Sequence, residues 1–140
     1  MTIRQVAEMV RDCNPVTVRE DAPVRDACKR MCDRRVGAVL VVDAGDHLVG
    51  IFTGRDAVAR VIAAGLDPAK TTLKSVMTDE PVTLGPGQNA VEALRTMEDG
   101  GFRHLPIVEK GRIVGIISRG DFRGLEQARR DEETGLWERI

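Results

Sequence analysis

The chain has 140 residues, 42% of them hydrophobic, which is enough for one compact body with a buried core and excludes a disordered chain. Its net charge of −1, with three Phe, one Trp and no Tyr, provides neither the basic surface nor the stacking aromatics of a nucleic-acid-binding protein. No apolar stretch has the length of a membrane span or a signal peptide, so we predict a cytoplasmic protein with reduced cysteines that binds neither nucleic acid nor membrane.

One pattern occurs twice. Pro15-Val16-Thr17-Val18 returns as Pro81-Val82-Thr83-Leu84, and Gly50-Ile51-Phe52-Thr53-Gly54-Arg55-Asp56 returns as Gly115-Ile116-Ile117-Ser118-Arg119-Gly120-Asp121. The correspondence slips once, near Asp46, as one additional residue in a tight turn of the first copy would cause. Each copy alone is marginally small for a core, so the repetition predicts a pseudo-twofold body with two equivalent clefts.

The first copy predicts the order strand, helix, strand, strand, helix. Its strands are predicted at residues 16–18, 36–42 and 48–52. The first helix carries an apolar stripe formed by Val24, Ala27, Cys28, Met31 and Cys32. Asp21 is the predicted N-cap of this helix, with Pro23 in its first turn. The second helix is predicted from Asp56 to about residue 64, where Gly65 stops it.

The second copy repeats this order, with strands at residues 82–84, 102–108 and 113–117. Its helices are predicted at residues 90–97 and from Asp121 to about residue 130. Pro106 interrupts the middle strand and predicts an edge or a bulge there. Together the copies predict a mixed α/β (α+β) fold of two β-α-β-β-α repeats packed through their sheets. The repeats span residues 3–66 and 72–128, and a C-terminal tail follows at 129–140.

Neither a metal site nor an active site is predicted. Cys28 and Cys32 have the spacing of two metal ligands on one helical face, but their place on the apolar stripe and the lack of a third ligand nearby favour core packing. His47 falls in a hairpin turn and His104 opens a strand, and neither has a nucleophile in a recognisable setting. We therefore expect that the protein is not an enzyme.

The repeated element Gly-Ile-x-(Thr/Ser)-x-x-Asp lies where a strand ends and a helix begins. Thr53-x-x-Asp56 and Ser118-x-x-Asp121 have the spacing of helix capping boxes. The same groups suit a nucleotide, because the hydroxyl and free backbone N–H groups can bind a phosphate while the carboxylate accepts from two ribose hydroxyls. Arg55 and Arg119 lie in the same turns and can neutralise a phosphate. Both interpretations are open at this point.

With these elements the chain resembles a tandem pair of CBS domains, the regulatory unit called a Bateman module. The resemblance rests on the two elements, the two Pro-Val-Thr starts and Arg103-His104-Leu105-Pro106-Ile107-Val108, and it covers residues 3–128. It implies a module that senses an adenosine-containing ligand such as AMP, ADP, ATP, S-adenosylmethionine or NAD(H), with no obligatory cofactor. Output would pass to an effector protein or through assembly. The alternative is an interaction or scaffold protein in which the elements are only helix caps.

The resemblance also assigns residues to two clefts. The first combines Ser118, Asp121, Arg119, Ile116, Arg103 and His104 with Val16, Val36 and Gly37 of the first copy. The second combines Thr53, Asp56, Arg55, Gly37 and Ala38 with Val82, Phe102 and Arg103 of the second copy. Because Arg103-His104 stands where the first copy has Gly37-Ala38, and Phe102 narrows the adenine slot of the second cleft, the Asp121 cleft is predicted to bind better.

The helix after Asp56 predicts a homodimer. It carries Val58, Val61 and Ile62 among several alanines, which is more apolar surface than a short helix needs for its own core. Self-association about a twofold axis is the commonest way to bury such a surplus, and CBS pairs often assemble in this way.

Overall fold

A computed structural model describes residues 3–122, Gly124 and Glu126. The fold is mixed α/β, as predicted, and it divides into two compact units. The first-repeat unit comprises Asn14–Pro81, and the second-repeat unit comprises residues 3–13 together with the described residues from Val82 onward. The predicted tail at 129–140 and the predicted helix beyond Asp121 lie outside the described residues, apart from Gly124 and Glu126.

In the first copy the helices and strands follow one another in the predicted order, and in the second copy the helix and the two hairpin strands do so. In chain order they are α1 (Val6–Met9), β1 (Thr17–Arg19), α2 (Val24–Arg34), β2 (Ala38–Val42), β3 (Leu48–Thr53), α3 (Gly54–Asp56) continued by a π-helical segment (Ala57–Ile62), α4 (Leu73–Val76), β4 (Thr78–Asp79), α5 (Ala90–Gly100), β5 (His104–Glu109), β6 (Arg112–Ser118) and a 3-10 turn (Arg119–Asp121).

The first-repeat unit contains a four-stranded sheet in the order β1-β2-β3-β4. β1 runs parallel to β2, and the other neighbours are antiparallel. All five residues of β2 are buried, as its run of β-branched residues predicts. Val39 and Val41 of this strand lie in the same core cluster as Val24, Ala27 and Met31 of the apolar stripe of α2. Within that stripe, core packing is confirmed for Cys28, which is half-buried against this core, and is wrong for Cys32, which is exposed at the end of the helix.

The second-repeat unit contains a β5–β6 hairpin, and its predicted opening strand at 82–84 is wrong. Only Leu84 pairs, through a single parallel bridge to Ile107. In the first copy the amide of Leu40 donates to the carbonyl of Val16 at 2.9 Å and holds the equivalent strand. Pro106 occupies the position of Leu40 and has no N–H to donate. Pro106 therefore lies beside a nearly open edge, as predicted.

The two hairpins differ in the turn, which explains the slip near Asp46. Both carry a register shift at the same place, between Val41 and Val42 and between Ile107 and Val108. The first turn is one residue longer and is organised by Asp43, whose Oδ1 accepts from the backbone N–H groups of Gly45 at 2.9 Å and His47 at 3.0 Å. These bonds, that from His47 above all, lower the pKa of the Asp43 carboxyl.

The units exchange the segments that lead into the first strand of each repeat, residues 3–10 and 68–77. Val6 of α1 and the following Val10 are buried in the core of the second-repeat unit, and Leu73 and Val76 of α4 are buried in the core of the first-repeat unit. The compact units are therefore cut differently from the sequence repeats, whose division at 3–66 and 72–128 stays a prediction.

The exchanged segments also explain the start of α2, for which the predicted cap is wrong. Pro23, not Asp21, is the N-cap residue, and it offers no side-chain hydrogen bond. Instead, the free N–H groups of Val24 and Arg25 donate to the carbonyls of Thr71 at 2.8 Å and Pro68 at 3.1 Å. A neighbouring backbone satisfies the donors that a capping side chain would otherwise satisfy.

The glycine of each repeated element allows the exchanged segment to cross its strand. A Cβ on Gly115 would lie 2.6 Å from Cβ of Val10, and one on Gly50 would overlap the Met77 side chain. Both glycines lie in the strand that leads to the Thr or Ser of the element, so the crossing segments lie next to that strand.

Candidate functional site

Each repeated element forms the turn that follows a strand, and both are arranged as capping boxes. In the first, the N–H of Thr53 donates to Oδ2 of Asp56 at 3.0 Å, and the N–H of Asp56 donates to Oγ1 of Thr53 at 3.1 Å. In the second, the N–H of Ser118 donates to Oδ2 of Asp121 at 2.7 Å. The capping interpretation is thus realised in both copies, and it fixes the orientation of both carboxylates.

Pairing between strands brings the predicted neighbours to these turns. His104 lies opposite Ser118, and Ala38 lies opposite Thr53 at the equivalent point. The N–H of Arg119 donates to the carbonyl of Arg103 at 3.0 Å, and the first copy repeats this bond from Gly54 to Gly37. The structure therefore places Arg103 and His104 beside the Asp121 turn, and Gly37 and Ala38 beside the Asp56 turn.

The two carboxylates differ in how much of them is already engaged. Oδ1 of Asp56 lies 3.8 Å from Nε of Arg60, and the Asp56 side chain is largely buried. Asp121 is exposed, and among the described residues its Oδ1 has no hydrogen-bond or ion-pair partner. Asp121 consequently has the more available acceptor.

The cations near the turns are also unequal. Nη2 of Arg119 forms an ion pair with Oε1 of Glu98 at 2.9 Å, so its charge is directed at α5. Arg103 and Arg55 are exposed, and within residues 3–122 neither forms a side-chain hydrogen bond or ion pair. Arg103 and Arg55 are therefore the cations that an anion at each turn can recruit.

His104 is half-buried next to both charges of its turn. Its pKa is lowered, first by burial and then by the positive charge of Arg103, while Asp121 opposes the shift. The neutral ring is therefore favoured near pH 7, and it offers one donor and one acceptor.

The apolar residues predicted for the two clefts differ in how far their side chains are exposed. Val36 and Val82 are large hydrophobic side chains left exposed, each within its own unit. Ile116 is half-buried in β6, and Phe102 is half-buried against the core of the second-repeat unit. Val16 is buried in the core of the first-repeat unit, so little of its side chain remains for a ligand.

Arg4, which was not predicted as a site residue, holds the backbone of the Asp121 turn. Arg4 donates from Nη2 to the carbonyl of Asp121 at 3.0 Å, and its guanidinium also pairs with Glu126. Arg60 was likewise missed at the other turn, where Nη1 donates to the carbonyl of Val76 at 3.0 Å. Arg4 lies far from Asp121 in the chain, so no local pattern signals the contact, whereas the spacing of Asp56 and Arg60 is that of a helical ion pair.

The described part of the chain contains neither a metal-binding cluster nor a membrane-spanning helix. No three His, Cys, Asp or Glu side chains gather there closely enough to hold a metal ion. None of its helices combines the length and the apolar character needed to cross a membrane.

Comparison with known proteins gives a consistent assignment. The model of the CBS domain matches residues 3–63 and 73–126. CBS domain-containing protein CBSCBSPB2 of Arabidopsis thaliana is 42% identical over 113 residues, which are 81% of this chain and 21% of that protein. The chain thus spans about a fifth of the length of the first curated relatives it matches.

Solved structures show the same fold. A CBS-domain containing protein from Agrobacterium tumefaciens superposes with a TM-score of 0.79 at 32% identity, covering 91% of this chain and 95% of that one. A CBS domain protein from Pyrobaculum aerophilum, complexed with AMP, gives a TM-score of 0.82 at 22% identity, covering 91% and 98%.

Proposed function

Because this chain belongs to the CBS domain family, we propose that it is a regulatory module that senses an adenosine-containing ligand of the AMP, ADP or ATP class. The proposal gives the ligand a regulatory role and requires no cofactor. It assigns no catalytic step to the chain, and it places the protein in the cytoplasm, where adenine nucleotides are abundant.

The observation that carries the proposal is that only one of the two oxygens of the Asp121 carboxylate is hydrogen-bonded among the described residues. One oxygen is held by the N–H of Ser118 at 2.7 Å, and the other is exposed without a partner among the described residues. A carboxylate that is oriented in advance and still has free lone pairs can accept hydrogen bonds from the two adjacent hydroxyls of a ribose at little entropic cost.

The phosphate end of the ligand falls to the neighbours of Asp121. In this proposal Arg103 supplies the positive charge, His104 supplies a neutral ring donor, and the hydroxyl of Ser118 supplies a further donor. Arg119 contributes through its backbone, because its side chain is paired with Glu98. The AMP complex of the Pyrobaculum aerophilum protein demonstrates binding by that protein and likeness of fold, so the ligand class here rests on the chemistry of the Asp121 turn.

The Asp56 turn is proposed as the weaker site. Its carboxylate lies near Arg60 and is largely buried, and Gly37 and Ala38 offer no side-chain donor where Arg103 and His104 do. Arg55 is exposed and, unlike Arg60, has no ion-pair partner within the described residues. Val16, Val36, Val82 and Phe102 remain proposed contributors to the adenine end of one site or the other.

Nucleotide titration with one substitution tests the proposal. We expect AMP to raise the melting temperature in a concentration-dependent manner and to bind with micromolar to millimolar affinity, roughly −4 to −8 kcal/mol. Asp121→Ala should weaken binding about ten- to a hundredfold, roughly 1.5–3 kcal/mol, because the ribose acceptors are lost. Asp121→Asn retains one acceptor for the N–H of Ser118, so it separates loss of charge from loss of the turn. Equal affinities in calorimetry for the parent and Asp121→Ala would refute the role of Asp121.

A second function has its own support, because both repeated elements form capping boxes. In that case the chain is an interaction or scaffold protein without a ligand, and Asp121→Ala lowers stability alone. Absence of any thermal shift across a panel of AMP, ADP, ATP, S-adenosylmethionine and NAD(H) would favour it.

We further propose that the protein forms a homodimer. Val58 is 59% exposed and Ile62 is 69% exposed in the π-helical segment, and Leu66 follows on the same unit. Together with Ala59 and Ala63, which are also exposed, these residues form what we call the apolar patch. A second copy of the chain can bury an equivalent patch by twofold symmetry, and signal output then passes through that assembly or to an effector protein.

A further inference from the structure

Arg4 connects the start of the chain to the proposed ligand site. Its guanidinium binds Glu126 through two bonds, Nη2 to Oε1 at 2.6 Å and Nε to Oε2 at 3.0 Å. The same Nη2 donates to the backbone carbonyl of Asp121 at 3.0 Å. One side chain thereby ties the residue proposed to bind ribose to a second acidic residue beyond the turn.

The partner of Arg4 cannot readily exchange it for water. Glu126 is 2% exposed, and the Arg4 side chain is itself largely buried. Removal of one member of a buried ion pair leaves the other charged and desolvated, which is strongly unfavourable. The pairing also raises the pKa of Arg4, chiefly through its hydrogen bond with Glu126. The contact therefore persists for as long as the segment that carries Arg4 stays in place.

That segment is docked by its backbone. The N–H of Val6 donates to the carbonyl of Gln88 at 2.7 Å, the N–H of Ala7 donates to Pro86 at 3.0 Å, and the N–H of Ala90 donates to Arg4 at 2.9 Å. Val6 is fully buried in the core of the second-repeat unit. Because Arg4 belongs to this docked segment, its contact with the Asp121 turn depends on the docking of residues 3–10.

The first-repeat unit lacks this arrangement. The N–H of Val24 donates to Thr71 as that of Ala90 donates to Arg4, so Thr71 is the counterpart of Arg4. Its hydroxyl donates to the carbonyl of Asp67, and it carries no charge. There the cation near the Asp56 carboxylate, Arg60, belongs to the helical segment of that turn. A cation carried by the exchanged segment is thus a feature of the Asp121 turn.

We propose that Arg4 is a positioning residue for the Asp121 site, and that ligand occupancy and docking of residues 3–10 stabilise each other. The inference rests on the proposed function, because it assumes that Asp121 binds the ligand. Coupling of two events through one contact is reciprocal: a ligand that favours the placed turn strengthens docking, and an undocked segment weakens ligand binding by the same factor. Residues 3–10 are then the segment whose docking changes when a ligand binds.

The test compares Arg4→Met with Arg11→Met in the full chain. Arg11 directly follows that segment, is exposed and has no side-chain partner among the described residues, so its variant controls for the loss of one positive charge. AMP affinity is measured by calorimetry, and hydrogen exchange of the Val6, Ala7 and Val10 amides is followed with and without saturating AMP. In the parent and Arg11→Met, AMP should slow exchange of these amides. In Arg4→Met we expect AMP affinity to fall at least about fivefold and the AMP-dependent protection to disappear.

A further variant keeps the test decisive if Arg4→Met does not fold. Arg4→Lys preserves the charge opposite Glu126 but cannot form all three bonds at once, so it should fold and show an intermediate loss of affinity. Unchanged affinity in both Arg4 variants, or a parent that binds AMP without slower exchange at residues 6–10, would overturn the coupling alone. A parent that binds no adenine nucleotide overturns the proposed function and the coupling with it.

Discussion

His104 is the titratable residue of the Asp121 turn whose environment most clearly differs from water. Burial and Arg103 lower its pKa, and the carboxylate of Asp121 compensates in part. An anionic phosphate bound at this turn would favour the protonated ring, because an added negative charge stabilises imidazolium. The residue that is proposed to supply a neutral donor at pH 7 would therefore make ligand binding sensitive to acid.

The lowered pKa of His104 predicts a pH dependence of stability. The unfolded chain takes up a proton near the ordinary value of 6.5, whereas the folded chain does so only at lower pH. The free energy of unfolding should therefore decrease as the pH falls from above 6.5 through the folded pKa. Urea denaturation between pH 7.5 and 5 should show a smaller decrease in His104→Gln than in the parent. Arg103→Gln removes one cause of the shift and should give an intermediate slope, and identical slopes in all three proteins would contradict the assignment.

At the scale of elements, the exchanged segments dominate the local structure. These segments provide buried side chains, backbone acceptors for the starts of α2 and α5 and, through Arg4, a cation for a turn. Each crosses its strand at the glycine of the repeated element. The recurrence of glycine at positions 50 and 115 thus has a steric cause that is independent of any ligand.

This close approach predicts that Gly115→Ala is destabilising. The new Cβ would lie 2.6 Å from Cβ of Val10, and neither the strand nor the buried segment can move freely. We expect a loss of about 1–3 kcal/mol in chemical denaturation, as is typical of overpacking. Gly87→Ala is the matched control, because its Cβ meets open space in the same unit. A Gly115→Ala protein as stable as Gly87→Ala would show that Val10 does not pack there.

The Asp56 element distinguishes a cap from a ligand site. Asp56→Ala removes the acceptor for the N–H of Thr53 and should lower stability by about 0.5–2 kcal/mol in thermal unfolding. If the element is only a cap, the stoichiometry of AMP binding stays at one site in both the parent and the variant. Two sites in the parent and one in Asp56→Ala would establish a second ligand site. Asp26→Ala, at an exposed position whose side chain has no hydrogen-bond partner among the described residues, should change stability far less.

At the scale of the whole molecule, the apolar patch is a hydrophobic surface that a single copy of the chain leaves exposed. Among the large hydrophobic residues described, Ile62 and Val58 are the two most exposed, while Val61 between them is buried. The helix therefore contacts its own core through Val61 and the half-buried Ala57, and its other apolar residues are exposed. Its surplus of apolar residues is what a second subunit would cover.

The proposed dimer predicts the mass in solution and its response to charge. Light scattering should give a mass near twice 15.3 kDa for the parent, and Val58→Asp should shift it towards the monomer. Thr83→Asp adds the same charge at an exposed position in the other unit and should leave the mass unchanged. A parent that stays monomeric at high micromolar concentration would exclude the dimer.

The sequence by itself determined the features that are local in the chain. The two repeats, the buried strand β2, the stop of the second helix at Gly65 and the one-residue difference between the hairpin turns all follow from periodicity, turn chemistry and internal comparison. The pairing of His104 with Ser118 does not follow, because the register shift between Ile107 and Val108 is what places Ser118, and not Ile117, opposite His104.

Only the tertiary structure decided the features that join distant residues. Asp21 fails as a cap because the backbone at Thr71 takes its place, and the strand at 82–84 is lost because Pro106 withholds one donor. Likewise Arg119 is engaged by Glu98, and Arg4 reaches Asp121 from the other end of the chain. These hydrogen-bonding groups take the partner that lies closest to them in the folded protein. The order of residues along the chain does not give the distance between two groups that are far apart in sequence.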